Sequence, residues 1–252
     1  MDDTRLPLTE HLAELRDRIV KVLLAWGVGA LLSYAFAEQI FGYVLHPAIV
    51  SLAEQGSRLQ AIAPTEIFFT YLKSALLAGF VCALPLIFWQ IWGFVSPGLY
   101  PSEKRVALPF VLISTALFLL GASFGHQIMF PVMFQFLASM QNAYVESAWT
   151  MREVFSLTTR LFLALGIAFE LPVAIFFLSV AGIVNARQLV SGLPYAAVGG
   201  FILGAMLSPP DVVSQVFLAI PLIALYLLGV GIAYLVGRRR ARRDVADDAA
   251  RS

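Results

Sequence analysis

Residues 94–105 read Phe-Val-Ser-Pro-Gly-Leu-Tyr-Pro-Ser-Glu-Lys-Arg, a short polar stretch between two long apolar runs. Pro97 and Pro101 lack an N–H and fix φ, so with Gly98 between them no continuous helix passes through. The same prolines narrow the conformations of the loop, which therefore presents Glu103, Lys104 and Arg105 instead of letting them trail. Two readings of Glu103 follow. It offsets the neighbouring cations, as charged loops commonly do, or it is a carboxylate held ready for a guanidinium.

The flanking runs set the class. The chain has 252 residues, 60% hydrophobic and only 13% charged, with a mean hydropathy of +0.82. A soluble domain carries about 25% charge. This composition makes an all-α polytopic membrane protein. Apolar segments at 19–37, 71–95, 108–130, 155–181, 193–207 and 214–236 predict six transmembrane helices in one domain. Residues 1–18 precede them as a cytoplasmic amphipathic helix, 19–236 form the bundle, and 237–252 form a cytoplasmic tail. The fifth segment, about 15 residues, rises only ~22 Å against a hydrocarbon thickness of about 30 Å, which predicts local thinning of the bilayer or snorkelling. No convincing cleavage site follows the first run at Ala37-Glu38, so that run is expected to remain a span.

Basic residues orient the bundle. With both termini on one side, Arg5, Arg16, Arg18, Lys21, Lys104, Arg105, Arg187 and the arginines of the tail share that side. Only Arg58, Lys73, Arg152 and Arg160 fall on the other. The positive-inside rule therefore puts both termini and the Glu103 loop in the cytoplasm. In the N-terminal segment Leu8, Leu12, Leu15 and Ile19 form one apolar stripe. Thr9 is placed to cap, and Glu14 and Arg18 stand four apart in the favourable order for an ion pair. Outward segments 38–70 and 131–154 read as long loops, the first with room for a short helix. Ser208-Pro209-Pro210-Asp211 is a tight turn whose Asp211 is placed to cap the sixth helix. The Arg-rich end reads as a topological stop and a contact for anionic lipid.

Glu170 is the sharpest anomaly. It interrupts an otherwise uncharged run from Leu161 to Val180, where a central carboxylate costs at least a few kcal/mol unless it faces protein or water. Pro172 removes a backbone hydrogen bond two residues on, so a kinked helix with a wet notch is expected. Glu170 is either a polar point on a path or groove, or a protonated acid bonded to a neighbouring helix. Gln90 and Gln215 glue helices or bind. Trp92 and Phe94 suit the aromatic belt. Cys82, the one cysteine, reads as a small core hydrophobe and excludes a disulfide within the chain. His11, His46 and His126 lack metal-ligand spacing, and no nucleophile and base are paired, so an enzyme, a metal site and a cofactor are not expected. No nucleic-acid partner is expected.

Four stretches together resemble the TatC family, the multispan receptor of the twin-arginine protein translocase. They are His-Leu-Ala-Glu-Leu-Arg-Asp-Arg at 11–18, the 94–105 loop, Phe-Glu-Leu-Pro-Val at 169–173 and Ser-Pro-Pro-Asp-Val-Val-Ser-Gln at 208–215. The resemblance implies a multi-pass protein of the bacterial inner membrane, with kinked helices forming a concave face. It implies binding of paired-arginine signal peptides on folded cargo, single-span TatA- and TatB-type partners, self-assembly in a larger complex, and export driven by the proton-motive force. Carried over by position, Glu14 and Glu103 are the acidic receptors, supported by Phe94 and Arg16. Glu170 is the intramembrane polar residue, and Ser208 and Gln215 lie where partner helices dock. The role of His126 stays open.

The chemistry suits such a ligand. Paired arginines offer two planar forks, and carboxylates on two separate elements read both. Each exposed pair contributes up to about 1 kcal/mol, so tight binding also needs the apolar part of the peptide to enter a groove between helices. The competing reading is a small-solute or ion transporter, which shares an intramembrane acid and broken helices but predicts two related halves. No repeat relates the first three spans to the last three.

Overall fold

The computed structural model describes residues 8–54, 56–95, 104–141, 148–208 and 211–251. All regular structure among them is helical: α1 Leu8–Ser33, a 3₁₀ turn Tyr34–Phe36, α2 Ala37–Ala53, α3 Pro64–Val95, α4 Lys104–Phe124, a π-turn Gly125–Met129, α5 Phe130–Ser139, α6 Met151–Ala168, α7 Leu171–Val180, α8 Ala186–Leu207 and α9 Val212–Arg251. Six stretches are long and apolar enough to cross a membrane: Leu12–Ala53, Pro64–Phe94, Ala107–Ser139, Met151–Val180, Ala186–Leu207 and Val212–Arg239. The all-helical, six-span expectation is met.

Several sequence readings are corrected. The N-terminal stripe does not form a separate helix, because α1 runs without a break from Leu8 to Ser33. Thr9 accordingly lies inside α1, not at its cap. The fifth span is not short. Asn185 caps α8 with a reciprocal capping box to Gln188, so the helix starts well before the first apolar residues and has 22 residues. At 1.5 Å per residue it reaches ~33 Å, and bilayer thinning is no longer required. Residues 131–139, read as loop, continue as α5, since Pro131 stands in its first turn, where the missing N–H costs nothing. Segment 38–70 does hold a helix, α2, with Leu45, Ala48 and Leu52 fully buried. Cys82 is exposed, because it points away from the face of α3 that carries Ala75, Ala83 and Leu84. Lys104 opens α4, and residues 96–103 lie outside the described residues.

The chain divides into two compact units, residues 1–116 with 146–155, and residues 117–145 with 156–252. In the first unit α1 and α3 run antiparallel, with Arg18 beside Gln90, Trp26 beside Leu76, and Gly29 against Gly79. A Cβ at Gly29 would lie 2.9 Å from the Gly79 carbonyl oxygen, and one at Gly79 would run into the Ala30 backbone. The Trp26 indole N–H donates to the Leu76 carbonyl at 2.7 Å, and its ring meets Phe80 edge-on. Three hydroxyls of this unit are satisfied along their own helices: Ser74 donates to the Thr70 carbonyl, Thr70 to Glu66 and Ser51 to Pro47.

At the other end of this unit, two connecting segments are tied together. The Gln60 N–H donates to the Trp149 carbonyl at 2.9 Å, and the Met151 N–H donates to the Gln60 carbonyl at 2.8 Å. Glu66, in the first turn of α3, clamps both sides. Its carboxylate accepts from the Ile62 N–H at 2.9 Å and from the Arg152 N–H at 2.6 Å.

In the second unit Gly121 packs against the Leu165 carbonyl and the Phe169 ring, and Gly166 packs under the Phe118 ring. α8 and α9 form an antiparallel hairpin. The Tyr226 hydroxyl donates to the Leu189 carbonyl at 2.8 Å at one end, and Gly204 admits the Gln215 backbone at the other. Gly229 lets Ile175 of α7 sit directly on α9.

Gly79→Val puts methyl groups where only backbone can yield. It should cost about 3 kcal/mol of stability, at the upper end for overpacking, read as a lowered unfolding temperature in detergent; an unchanged temperature refutes the close crossing. Glu66→Ala removes the carboxylate oxygens that accept from two backbone N–H groups of the joined segments. Hydrogen exchange at Ile62 and Arg152 should accelerate while exchange in the middle of α3 stays unchanged.

Candidate functional site

The richest polar arrangement among the described residues lies where the start of α1 meets the end of α3. Glu14 and Arg18 face the same way one helical turn apart. Arg18 donates to Glu14 Oε1 from both Nε, at 3.0 Å, and Nη2, at 2.5 Å. Its Nη1 reaches across to α3, to the Gln90 side-chain oxygen at 3.3 Å and the Gln90 carbonyl at 3.4 Å. Gly93 makes this possible, since a Cβ there would collide with the Arg18 guanidinium. Arg18 thus serves as a bracket between helices, and both of its bonds to Glu14 use Oε1. The Oε2 atom of a carboxylate so held is oriented but not engaged by Arg18. The Glu14 side chain keeps 35% of its exposure and Arg18 22%, so this is a half-wet ion pair.

Phe94 is half-buried one residue beyond Gly93, at the same end of α3. Trp92 packs on Phe110 of α4 with ring centroids 5.0 Å apart, and Phe88 meets Phe110 edge-on. Arg16 points elsewhere. It is 73% exposed and pairs with its neighbour Asp17 at 2.8 Å. Glu103 lies outside the described residues, as does the rest of 96–103. The structure therefore brings Glu14 and Phe94 to one end of the α1–α3 pair and leaves Arg16 on the open face of α1.

Glu170 sits at a true interruption. α6 stops at Ala168, Phe169 and Glu170 turn, and α7 begins at Leu171 with Pro172 in its first turn. The Ala174 N–H donates to the Glu170 carbonyl, so the new helix starts from Glu170 itself. The expected break is there, and Glu170 is half-buried at it. Phe169 leans on Phe124, and His126 is buried in the adjacent π-turn, edge-on to Phe130.

Ser208 ends α8 as its cap. It is buried, and its hydroxyl donates to the Gly204 carbonyl at 2.8 Å. Asp211 caps α9 as expected, accepting from the Ser214 N–H at 2.7 Å. Gln215 is half-buried one turn into α9, beside Gly204. No group of three or more His, Cys, Asp or Glu residues is placed to hold a metal among the described residues.

The family described as Sec-independent protein translocase protein (TatC) matches residues 10–221. The chain belongs to the TatC family. The TatC protein of Desulforapulum autotrophicum is 39% identical over 95% of this chain and 88% of its own length. That of Escherichia coli K12 is 37% identical over 97% of this chain and 94% of its own. A crystal structure titled as the twin arginine translocase receptor TatC superposes with a TM-score of 0.81, at 35% identity, covering 90% of this chain and 99% of that one. As a TatC-family member the chain is a multi-pass inner-membrane protein, the core receptor subunit of the twin-arginine translocase, and not an enzyme. The transporter reading is not favoured.

The Arg18–Gln90–Gly93 bracket escaped sequence reading in part. The Glu14–Arg18 spacing is visible in the sequence, but nothing in it pairs Arg18 with a glutamine 72 residues away. Gln90→Leu should cost about 1 kcal/mol through the lost bond to a charged donor. Combined with Arg18→Met, the losses should be less than additive in detergent melting. Full additivity would show that the two side chains do not interact.

Proposed function

We propose that this TatC-family chain receives paired-arginine signal peptides at its cytoplasmic face, through Glu14 and Glu103, with Phe94 and Arg16 supporting the surface. The observation that carries this is the bracketed Glu14. A carboxylate already oriented by Arg18 loses little side-chain freedom on accepting a second guanidinium, and its Oε2 is the natural acceptor. Glu103 follows Val95, the last residue of α3, by eight positions in the sequence, which supports its working alongside Glu14. Arg16 and the other basic residues of this side support a cytoplasmic location for both termini.

Glu170 is the polar point of a concave face that the apolar part of the peptide enters. TatA- and TatB-type single-span subunits dock at the hairpin of α8 and α9, near Ser208 and Gln215. Supporting this, α8 carries Tyr195, Val198, Ile202 and Met206 in one exposed stripe at helical spacing, the kind of face a partner helix covers. Copies of the chain assemble with these partners in a larger complex that exports folded cargo on the proton-motive force.

Photocrosslinkers at positions 14 and 103, in native membranes, test the receptor surface. An Arg-Arg signal peptide should crosslink from both positions and its Lys-Lys version from neither. Glu103→Ala and Glu14→Ala should each weaken binding about fivefold, the equivalent of ~1 kcal/mol, without unfolding the bundle. Unchanged affinity in both variants would reject the assignment.

A further inference from the structure

A second polar site lies in the other compact unit. Between the end of α7, the turn that follows and the inner part of α9 is a cavity of about 710 Å³. Gly182, at φ +76°, closes α7: its N–H donates to the Ser179 carbonyl, and the Ile183 N–H reaches back to Leu178. That turn delivers Asn185 to the start of α8, and Arg187 into its first turn. α9 passes opposite and contributes Tyr234, Gly237 and Arg238, where the apolar span gives way to the arginine-rich tail.

Three features of this cavity point to a phosphate ester. Arg187 and Arg238, from different helices, both line it, and neither is in an ion pair among the described residues. No acidic side chain lines it among those residues. Ser179, a residue 93% buried by its 7% exposure, lines it too, and its hydroxyl has no hydrogen-bond partner. A buried hydroxyl without a partner is destabilising, and rotation of the side chain toward the cavity would let a ligand oxygen accept its proton. The first-turn N–H groups of Ala186 and Arg187 have no acceptor within the helix and favour an anion there. The remaining wall is apolar, with Val184, Ala233 and Val236, and it stands at the end of three spans.

We propose that this cavity is a binding site for one anionic phospholipid, its phosphodiester held between Arg187 and Arg238 with the Ser179 hydroxyl, and its acyl chains lying along α7 and α9. Basic pockets between transmembrane helices at the membrane surface suit such headgroups. Two arginine forks match the two free oxygens of a phosphodiester. A soluble phosphate would leave the apolar wall uncovered, whereas a lipid covers it. The site does not depend on how signal peptides are received, and either leaflet would supply the lipid.

The test is native mass spectrometry of the purified full-length chain in detergent. Dioleoylphosphatidylglycerol and zwitterionic dioleoylphosphatidylcholine are added separately, with inorganic phosphate as competitor. One phosphatidylglycerol should be retained per chain, at least tenfold more firmly than phosphatidylcholine. The double variant Arg187→Gln with Arg238→Gln should lose at least that factor. Gly237 faces open space, so Gly237→Leu should fold and fill the cavity. It should lose the lipid with both arginines in place. Equal retention of the two lipids would overturn the proposal. So would full retention in Gly237→Leu, which would mark a diffuse attraction to the tail. Displacement of the lipid by inorganic phosphate at matched concentration would identify a soluble anion instead.

Discussion

The close crossing of α1 and α3 at Gly29 and Gly79 underlies the arrangement of the first unit. Inside a bilayer, apolar helices gain nothing by leaving lipid for one another, so they associate where backbones approach and polar groups pair. The glycines bring the two axes together, and the Trp26 indole and the Arg18 guanidinium then bond across the same seam. Because the helices are antiparallel, the seam fixes Glu14 beside the last turns of α3. The Glu14 carboxylate is therefore positioned by a contact well away from it along the helix.

The second unit uses the same device with different partners. Gly121, Gly166 and Gly204 each admit a backbone or a ring that a Cβ would crowd, and Gly229 admits the Ile175 side chain. Where helices break, the freed backbone groups are recovered locally. Glu170 starts α7, Gly182 closes it, Asn185 starts α8 and Asp211 starts α9. This follows from the absence of water in the bilayer core, which leaves the protein to satisfy its own backbone. It also explains how Pro172 and Pro194 are tolerated within or beside spans.

The element boundaries that depart from the apolar runs share one cause. Apolar runs mark what lipid will accept, whereas helices are set by caps and hydrogen bonds. The Asn185–Gln188 box extends α8 into polar sequence, and Pro131 allows α5 to continue where proline suggested a stop. Cys82 followed its position around α3 and not its chemistry. Conversely, the pairing of Glu14 with Arg18, the interruption at Glu170 and Pro172 and the Asp211 cap are local, with every partner within four residues, and all three were legible in advance.

The sequence by itself determined the class of the protein, its six spans and its family, because hydropathy and linear motifs are properties of neighbours along the chain. Only the tertiary structure decided that Arg18 bridges to Gln90 across Gly93, that Glu66 ties two connecting segments together, and that Arg187, Arg238 and Ser179 line one cavity. Those relations join residues tens of positions apart. A glycine that permits a backbone crossing looks no different in sequence from one that does not, and only the geometry of the packed helices tells them apart.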